Sequence, residues 1–88
     1  MKNKNEIAII INLVFVRNDP MNLIAVGAPK DEYEIEAKMV ADILTKNNSM
    51  ICNPKIIHDV LLEEFDEEFN YEECSRISEE INCALSRC

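Results

Sequence analysis

One histidine and four cysteines are the side chains of this chain best suited to metal binding or nucleophilic chemistry. Thiolate and imidazole are the ligands that zinc prefers. However, Cys74 and Cys83 are nine residues apart, Cys83 and Cys88 are five apart, and no Cys-x-x-Cys pair is present. These spacings match no zinc pattern. Cys52 and His58 offer a thiol and an imidazole, but no orienting partner or oxyanion loop accompanies them. We therefore predict no metal, no cofactor and no enzymatic activity.

Carboxylates are the other candidates for chemistry, and they are concentrated in the last third of the chain. Residues 1–58 contain seven basic and seven acidic residues, whereas residues 59–88 contain ten acidic residues and only two basic ones. The net charge of −8 therefore lies at the end of the sequence. The acidic stretch lacks the glycine and the alternating ligands of an EF-hand calcium loop. A surface of this sign repels nucleic acid and anionic membranes, so we expect neither as a partner.

Two interpretations of the acidic stretch stay open at the level of sequence. It can be a solvated helix face that keeps a small protein in solution. Alternatively, it can steer and hold a basic partner, such as a nuclease domain. In the second interpretation Phe69 and Tyr71 supply apolar contact. The residues predicted to bind the partner are Asp59, Glu63, Glu64, Asp66, Glu67, Glu68, Phe69, Tyr71, Glu72 and Glu73.

Four periodic segments predict an all-α fold, a compact four-helix bundle formed by residues 1–88 as a single domain. In the first segment, Asn3 and Glu6 are spaced like a capping box. Its apolar residues recur at helical spacing, although their β-branched character would also suit a buried strand. Helix is favoured because no other segment resembles a partner strand. The predicted apolar face consists of Ile7, Ile10, Ile11, Val14 and Phe15.

The other three helices have recognisable starts. The second is predicted from about Asp31 to Asn47 with Asp31 as its cap, the third from the Asn53-Pro54 pair, and the fourth from Asn70. Each carries apolar residues along one side, as an amphipathic helix does. These are Ile35, Met39, Val40, Ile43 and Leu44 in the second helix, Ile57, Val60, Leu61 and Phe65 in the third, and Cys74, Ile77, Ile81, Ala84 and Cys88 in the fourth.

The connection between the first two helices contains the only glycine and two of the three prolines. Asp19, before Pro20, is placed to end the first helix and to accept hydrogen bonds from the backbone that follows. Gly27 can take conformations that other residues avoid, and the Tyr33 hydroxyl can fix the connection in place. Because no basic or nucleophilic group converges there, we expect this structured Pro/Gly loop to be architectural.

The same connection resembles the signature of a family of small, acidic, helical bacterial proteins with no assigned activity. In that family a Trp-Asp-Pro sequence precedes Gly-Leu and then Gly-x-Pro-x-Asp-Glu-Tyr. The present chain has Asn18 and Asn22 where the family has tryptophan and glycine. The matching residues are Asp19, Pro20, Leu23, Gly27, Pro29, Asp31, Glu32, Tyr33 and Glu36. Similar small helical proteins act as immunity partners of bacterial toxins, including those of contact-dependent growth inhibition. The resemblance thus implies a helical bundle without enzymatic activity.

The leading expectation is an immunity protein that occludes the active site of a basic toxin nuclease. The alternative is a non-enzymatic helical module that forms a homodimer through Ile9, Leu13 and Val16, which lie off the main stripe of the first helix. The apolar run 7–16 is too short for a membrane span, which needs roughly 20 residues, and no cleavage site follows it. We expect a cytoplasmic protein with reduced cysteines.

Overall fold

The computed structural model describes residues 3–20, 25–27, 33–47, 51–66 and 69–87. Each regular element in these ranges is an α-helix: α1 (Lys4–Asn18), α2 (Glu34–Lys46), α3 (Pro54–Phe65) and α4 (Tyr71–Arg87). α1 and α2 form one hairpin and α3 and α4 a second, while α1 also packs on α4 and α2 on α3. The predicted all-α four-helix bundle is confirmed. None of the helices described here is long and apolar enough to cross a membrane.

The prediction of helix rather than strand for α1 is confirmed. Asn3 caps the helix, since its Oδ1 accepts a hydrogen bond from the Glu6 backbone N–H at 2.9 Å and its Nδ2 donates to Glu6 Oε1 at 3.0 Å. The predicted face lies in the core, with Ile10 only half-buried. Burial of this face outweighs the strand preference of its β-branched residues. The buried side chains of α1 are Ile7, Ala8, Ile11, Val14 and Phe15.

The predicted apolar face of α2 is confirmed at Val40 and Leu44, which are buried, and at Met39 and Ile43, which pack against the core, but it was wrong at Ile35. Ile35 is 61% exposed, whereas Glu36 is buried. The reason is Tyr33, which is fully buried at the start of the helix. With 3.6 residues per turn, the positions that share its side of the helix are three, four, seven and eight residues on, and Ile35 points away. The buried residues of α2 are Glu36, Ala37, Val40, Ala41 and Leu44. The proposed cap, Asp31, lies outside the described residues.

The predicted starts of α3 and α4 are confirmed. Asn53 Oδ1 accepts a hydrogen bond from the Ile56 N–H at 3.0 Å, with Pro54 at the first helical position. Asn70 Oδ1 accepts one from the Glu72 N–H at 2.7 Å. These caps satisfy backbone donors that have no partner within the helix. Both helices bury their predicted apolar stripes, namely Ile57, Val60 and Leu61 in α3 and Cys74, Ile77 and Ile81 in α4, with Phe65 and Ala84 partly buried; Cys88 lies outside the described residues.

Asp19 ends α1 and accepts a hydrogen bond from the backbone that follows, as predicted, and its pairing with Tyr33 was not foreseen. Asp19 adopts the left-handed conformation (φ 46°) and its N–H donates to the Phe15 carbonyl oxygen at 2.7 Å. Its carboxylate accepts hydrogen bonds from the Ala25 N–H at 2.9 Å and from the Tyr33 hydroxyl at 2.6 Å. The Tyr33 ring stacks on Phe15 and meets Phe65 edge-on, with centroids 5.9 and 6.3 Å apart. Tyr33 therefore joins the loop to three helices.

Two other motif positions can be assessed. Gly27 has φ +100°, a conformation that side-chain-bearing residues rarely adopt, so the prediction for this glycine is confirmed. Glu36 is buried in the first turn of α2, where the positive end of the helix favours a carboxylate. Leu23, Pro29, Asp31 and Glu32 lie outside the described residues.

Candidate functional site

Some carboxylates of the C-terminal third form ion pairs with basic side chains of the same chain. Asp59 forms an ion pair with Lys55 one turn earlier at 2.7 Å, and Glu73 forms one with Arg76 at 3.2 Å. The hydrogen bond from Lys55, followed by that from His58, lowers the pKa of the Asp59 carboxyl. Because these two predicted partner-binding residues already have a cation beside them, they have less negative potential to offer an external partner.

A second set of carboxylates has no such neutralisation. We call Glu63, Glu64, Asp66 and Glu72 the acidic patch; all four are exposed, and no basic side chain of the described part of the chain pairs with them. They occupy the last turn of α3, its left-handed C-cap at φ 54° and the first turn of α4. Glu67 and Glu68, predicted for the same surface, lie outside the described residues.

Apolar side chains stand beside the acidic patch. Tyr71 is 55% exposed, and its ring lies 6.1 Å from that of His58. Leu62, one helical turn after His58 on α3, is 38% exposed and was not selected from the sequence. Its exposure would have been hard to foresee, because it follows the buried Leu61 in an apolar pair. Phe69 is half-buried against the core, so Tyr71 and Leu62 offer the more accessible apolar surface.

Two of the cysteines, Cys52 and Cys74, are buried, whereas Cys83 is exposed. Burial raises the pKa of the Cys52 thiol to about 12 and also raises the pKa of Cys74. A thiol with a raised pKa holds almost no thiolate near neutral pH and is a poor nucleophile. Cys52 is instead fixed through its backbone, which exchanges two hydrogen bonds with the Asn82 side chain at 2.7 and 2.9 Å. No three His, Cys, Asp or Glu side chains in the described ranges come together as a metal-binding group.

The outer face of α1 is the other unusual surface. Ile9 and Leu13, one turn apart, are 62% and 63% exposed, and Val16 on the same side is partly buried. Asn5 and Asn12 border these residues on one side, and the exposed charges of Glu6 and Arg17 border them on the other. A helix that is apolar on both its inner and outer sides is usually covered on both.

Comparisons with known proteins give no functional assignment, so the candidate site is chosen from the surfaces described above. No protein-family model, curated protein or solved structure matches the chain. The acidic patch with Tyr71 and Leu62 combines an exposed aromatic anchor with unneutralised charge, which is the composition of a protein-binding surface. It is the candidate functional site.

Proposed function

We propose that this protein is a non-enzymatic immunity protein that binds and neutralises a basic toxin domain, a nuclease, in the cytoplasm. The observation that carries the proposal is the acidic patch, in which four exposed carboxylates pair with no cation of the described residues and Glu72 directly follows the exposed Tyr71. The family resemblance of the Asp19 to Tyr33 connection supports the same class of protein. Inhibition by occlusion requires no catalytic group on this chain.

Charge and apolar contact would have separate tasks in such a complex. A nuclease active site is basic because it binds phosphates, and the carboxylates of the acidic patch would occupy the positions of those phosphates. Complementary charge accelerates encounter and rejects wrong partners. Tyr71 and Leu62 would supply the desolvated contact that retains the partner, since a few buried aromatic and aliphatic anchors carry most of the binding energy in an interface.

The structure allows the carboxylates to be ranked. Glu63 and Glu72 form no ion pair with a described residue, whereas Asp59 pairs with Lys55. Replacing Glu63 and Glu72 should therefore weaken the complex more than replacing Asp59. Of the carboxylates predicted to bind the partner between Asp59 and Glu73, we therefore expect those of the acidic patch to contribute most to binding.

The test is capture of the partner from native cell extract by the immobilised protein, followed by a nuclease assay of the captured fraction. The proposal expects one basic protein in near-equal amount, with nuclease activity that returns when the complex is dissociated. Tyr71→Ala should reduce capture strongly. Capture of only acidic or neutral proteins, or of a basic protein without nuclease activity, would contradict the proposal.

The exposure of Ile9 and Leu13 favours a second candidate, a helical module that pairs with another copy through the outer face of α1. Two chains of net charge −8 repel each other, so such a dimer requires that burial of Ile9 and Leu13 outweighs this repulsion. Sedimentation equilibrium should then show a dimer that Leu13→Lys converts to a monomer. A monomer at every concentration would remove this candidate.

A further inference from the structure

All three arginines of the chain line one groove between the end of α1 and the second half of α4. The side chains around it are those of Arg17, Arg76, Arg87, Glu79, Glu80 and Cys83, above a floor formed by a partly buried alanine of α4. Its volume of about 330 Å³ is at the lower end of the range for small-molecule sites, roughly 300–1,000 Å³. An arginine-lined groove in a protein of net charge −8 calls for an explanation.

The lysines, unlike the arginines, are not gathered at one place. Each lysine of the described ranges pairs with a nearby carboxylate and so reduces the negative charge of the surface. These pairs are Lys4–Asp42, Lys38–Glu34, Lys46–Asp42 and Lys55–Asp59. Arginine differs from lysine in presenting a planar fork of donors that matches phosphate and carboxylate oxygens in pairs. The chain thus uses lysine for surface ion pairs and gathers arginine at one place.

The ion pairs within and beside the groove occupy only some of the N–H donors of its arginines. Glu80 Oε2 accepts hydrogen bonds from Arg17 Nη2 at 2.9 Å and from Asn18 Nδ2 at 2.8 Å. This double contact lowers the pKa of Glu80, through Asn18 first and Arg17 second, and holds the Arg17 side chain at the rim. Arg76 reaches out of the groove to Glu73 with one nitrogen, and Arg87 forms no ion pair with a described residue. Most guanidinium donors therefore stay available.

We infer that this groove binds a small anion that carries phosphate or carboxylate groups, through Arg76 and Arg87 with Arg17 at the rim. The site is separate from the acidic patch and does not depend on the proposed function. The lining carries three guanidinium groups against two carboxylates, Glu79 at its exposed edge and Glu80 paired with Arg17 and Asn18, which leaves one excess positive charge. Such an excess favours an oxyanion, whose oxygens the guanidinium groups can bind through pairs of hydrogen bonds.

The experiment is an NMR titration of the ¹⁵N-labelled protein with pyrophosphate and, separately, with citrate, each against sodium chloride of equal ionic strength. We expect saturable chemical-shift changes of the amides around Cys83 and Arg87 and at the end of α1. Saturation by pyrophosphate alone would assign phosphate, and saturation by citrate alone would assign carboxylate. Shifts that stay linear, or that match those in sodium chloride, with both anions would overturn the inference.

Variants test whether the arginines are responsible. Arg76→Gln with Arg87→Gln should weaken the saturable binding by about tenfold or more, because it removes two guanidinium groups that donate charge-assisted hydrogen bonds to the anion. The matched control is Lys38→Gln with Lys55→Gln, which removes the same charge elsewhere and should leave the affinity nearly unchanged. Equal weakening in both variants would mean a general charge effect and would overturn the site. The wild-type shift map stands on its own if a variant fails to fold.

Discussion

Removal of one oxygen from Tyr33 should measurably destabilise the whole bundle. Its hydroxyl donates to Asp19 Oδ1 at 2.6 Å in a site where the ring is fully buried. A hydrogen bond to a charged group contributes about 1.5–3 kcal/mol net to stability. Tyr33→Phe keeps the ring and its contacts with Phe15 and Phe65. We therefore expect the free energy of unfolding to fall by about 2 kcal/mol, which lowers Tm by roughly 8–16 °C in a domain of this size.

The chain supplies its own control, because it contains just two tyrosines and the other is half exposed. Tyr71→Phe removes the same atom from the surface and should change the free energy of unfolding by less than about 0.5 kcal/mol. Urea and thermal unfolding followed by circular dichroism would measure both variants. Equal losses in Tyr33→Phe and Tyr71→Phe, or no loss in either, would refute the argument that the Asp19–Tyr33 hydrogen bond holds the connection in place.

Three further predictions concern pH, backbone conformation and thiols. Asn18 and Arg17 lower the pKa of Glu80 in the folded state, so ionised Glu80 stabilises the fold at pH values above its ordinary pKa of 4.5. The difference in free energy of unfolding between wild type and Glu80→Gln should therefore shrink as pH falls below about 4.5. Gly27→Ala should cost roughly 1–2 kcal/mol by thermal unfolding, because φ is +100° there although a Cβ would meet no atom. In native protein at neutral pH, maleimide labelling with peptide mapping should modify exposed Cys83 and spare buried Cys52, whose modification should require denaturant.

The helix starts were readable from the sequence because capping is local. Asn3, Asn53 and Asn70 each accept a hydrogen bond from an N–H two or three residues on, and such spacing is visible in the chain itself. The end of α1 at Asp19 was also foreseeable, since a carboxylate before proline is placed to accept hydrogen bonds from the backbone that follows.

The exposure of Ile35 on α2 and the arginine groove could not be read from the sequence in this way. The apolar positions of α2 include Ile35, and only the burial of Tyr33 decides that the helix turns Glu36 inward. Arg17 and Arg76 are brought together by packing of α1 on α4, which no local pattern records. A partial signal did exist, because Arg76 and Arg87 are eleven residues apart and so lie on one side of a helix.

The most direct test of the proposed function is a comparison of two charge-reversed variants for binding to the basic protein captured from native extract. Glu63→Lys with Glu72→Lys alters the acidic patch, whereas Glu34→Lys with Glu79→Lys makes the same change of charge on other exposed positions. We expect about 100-fold weaker binding or worse for the first variant, since close charge pairs contribute about 1.5–7 kcal/mol across an interface, and little change for the second. Equal binding by both variants, or the absence of a basic partner in the wild-type capture, would contradict it.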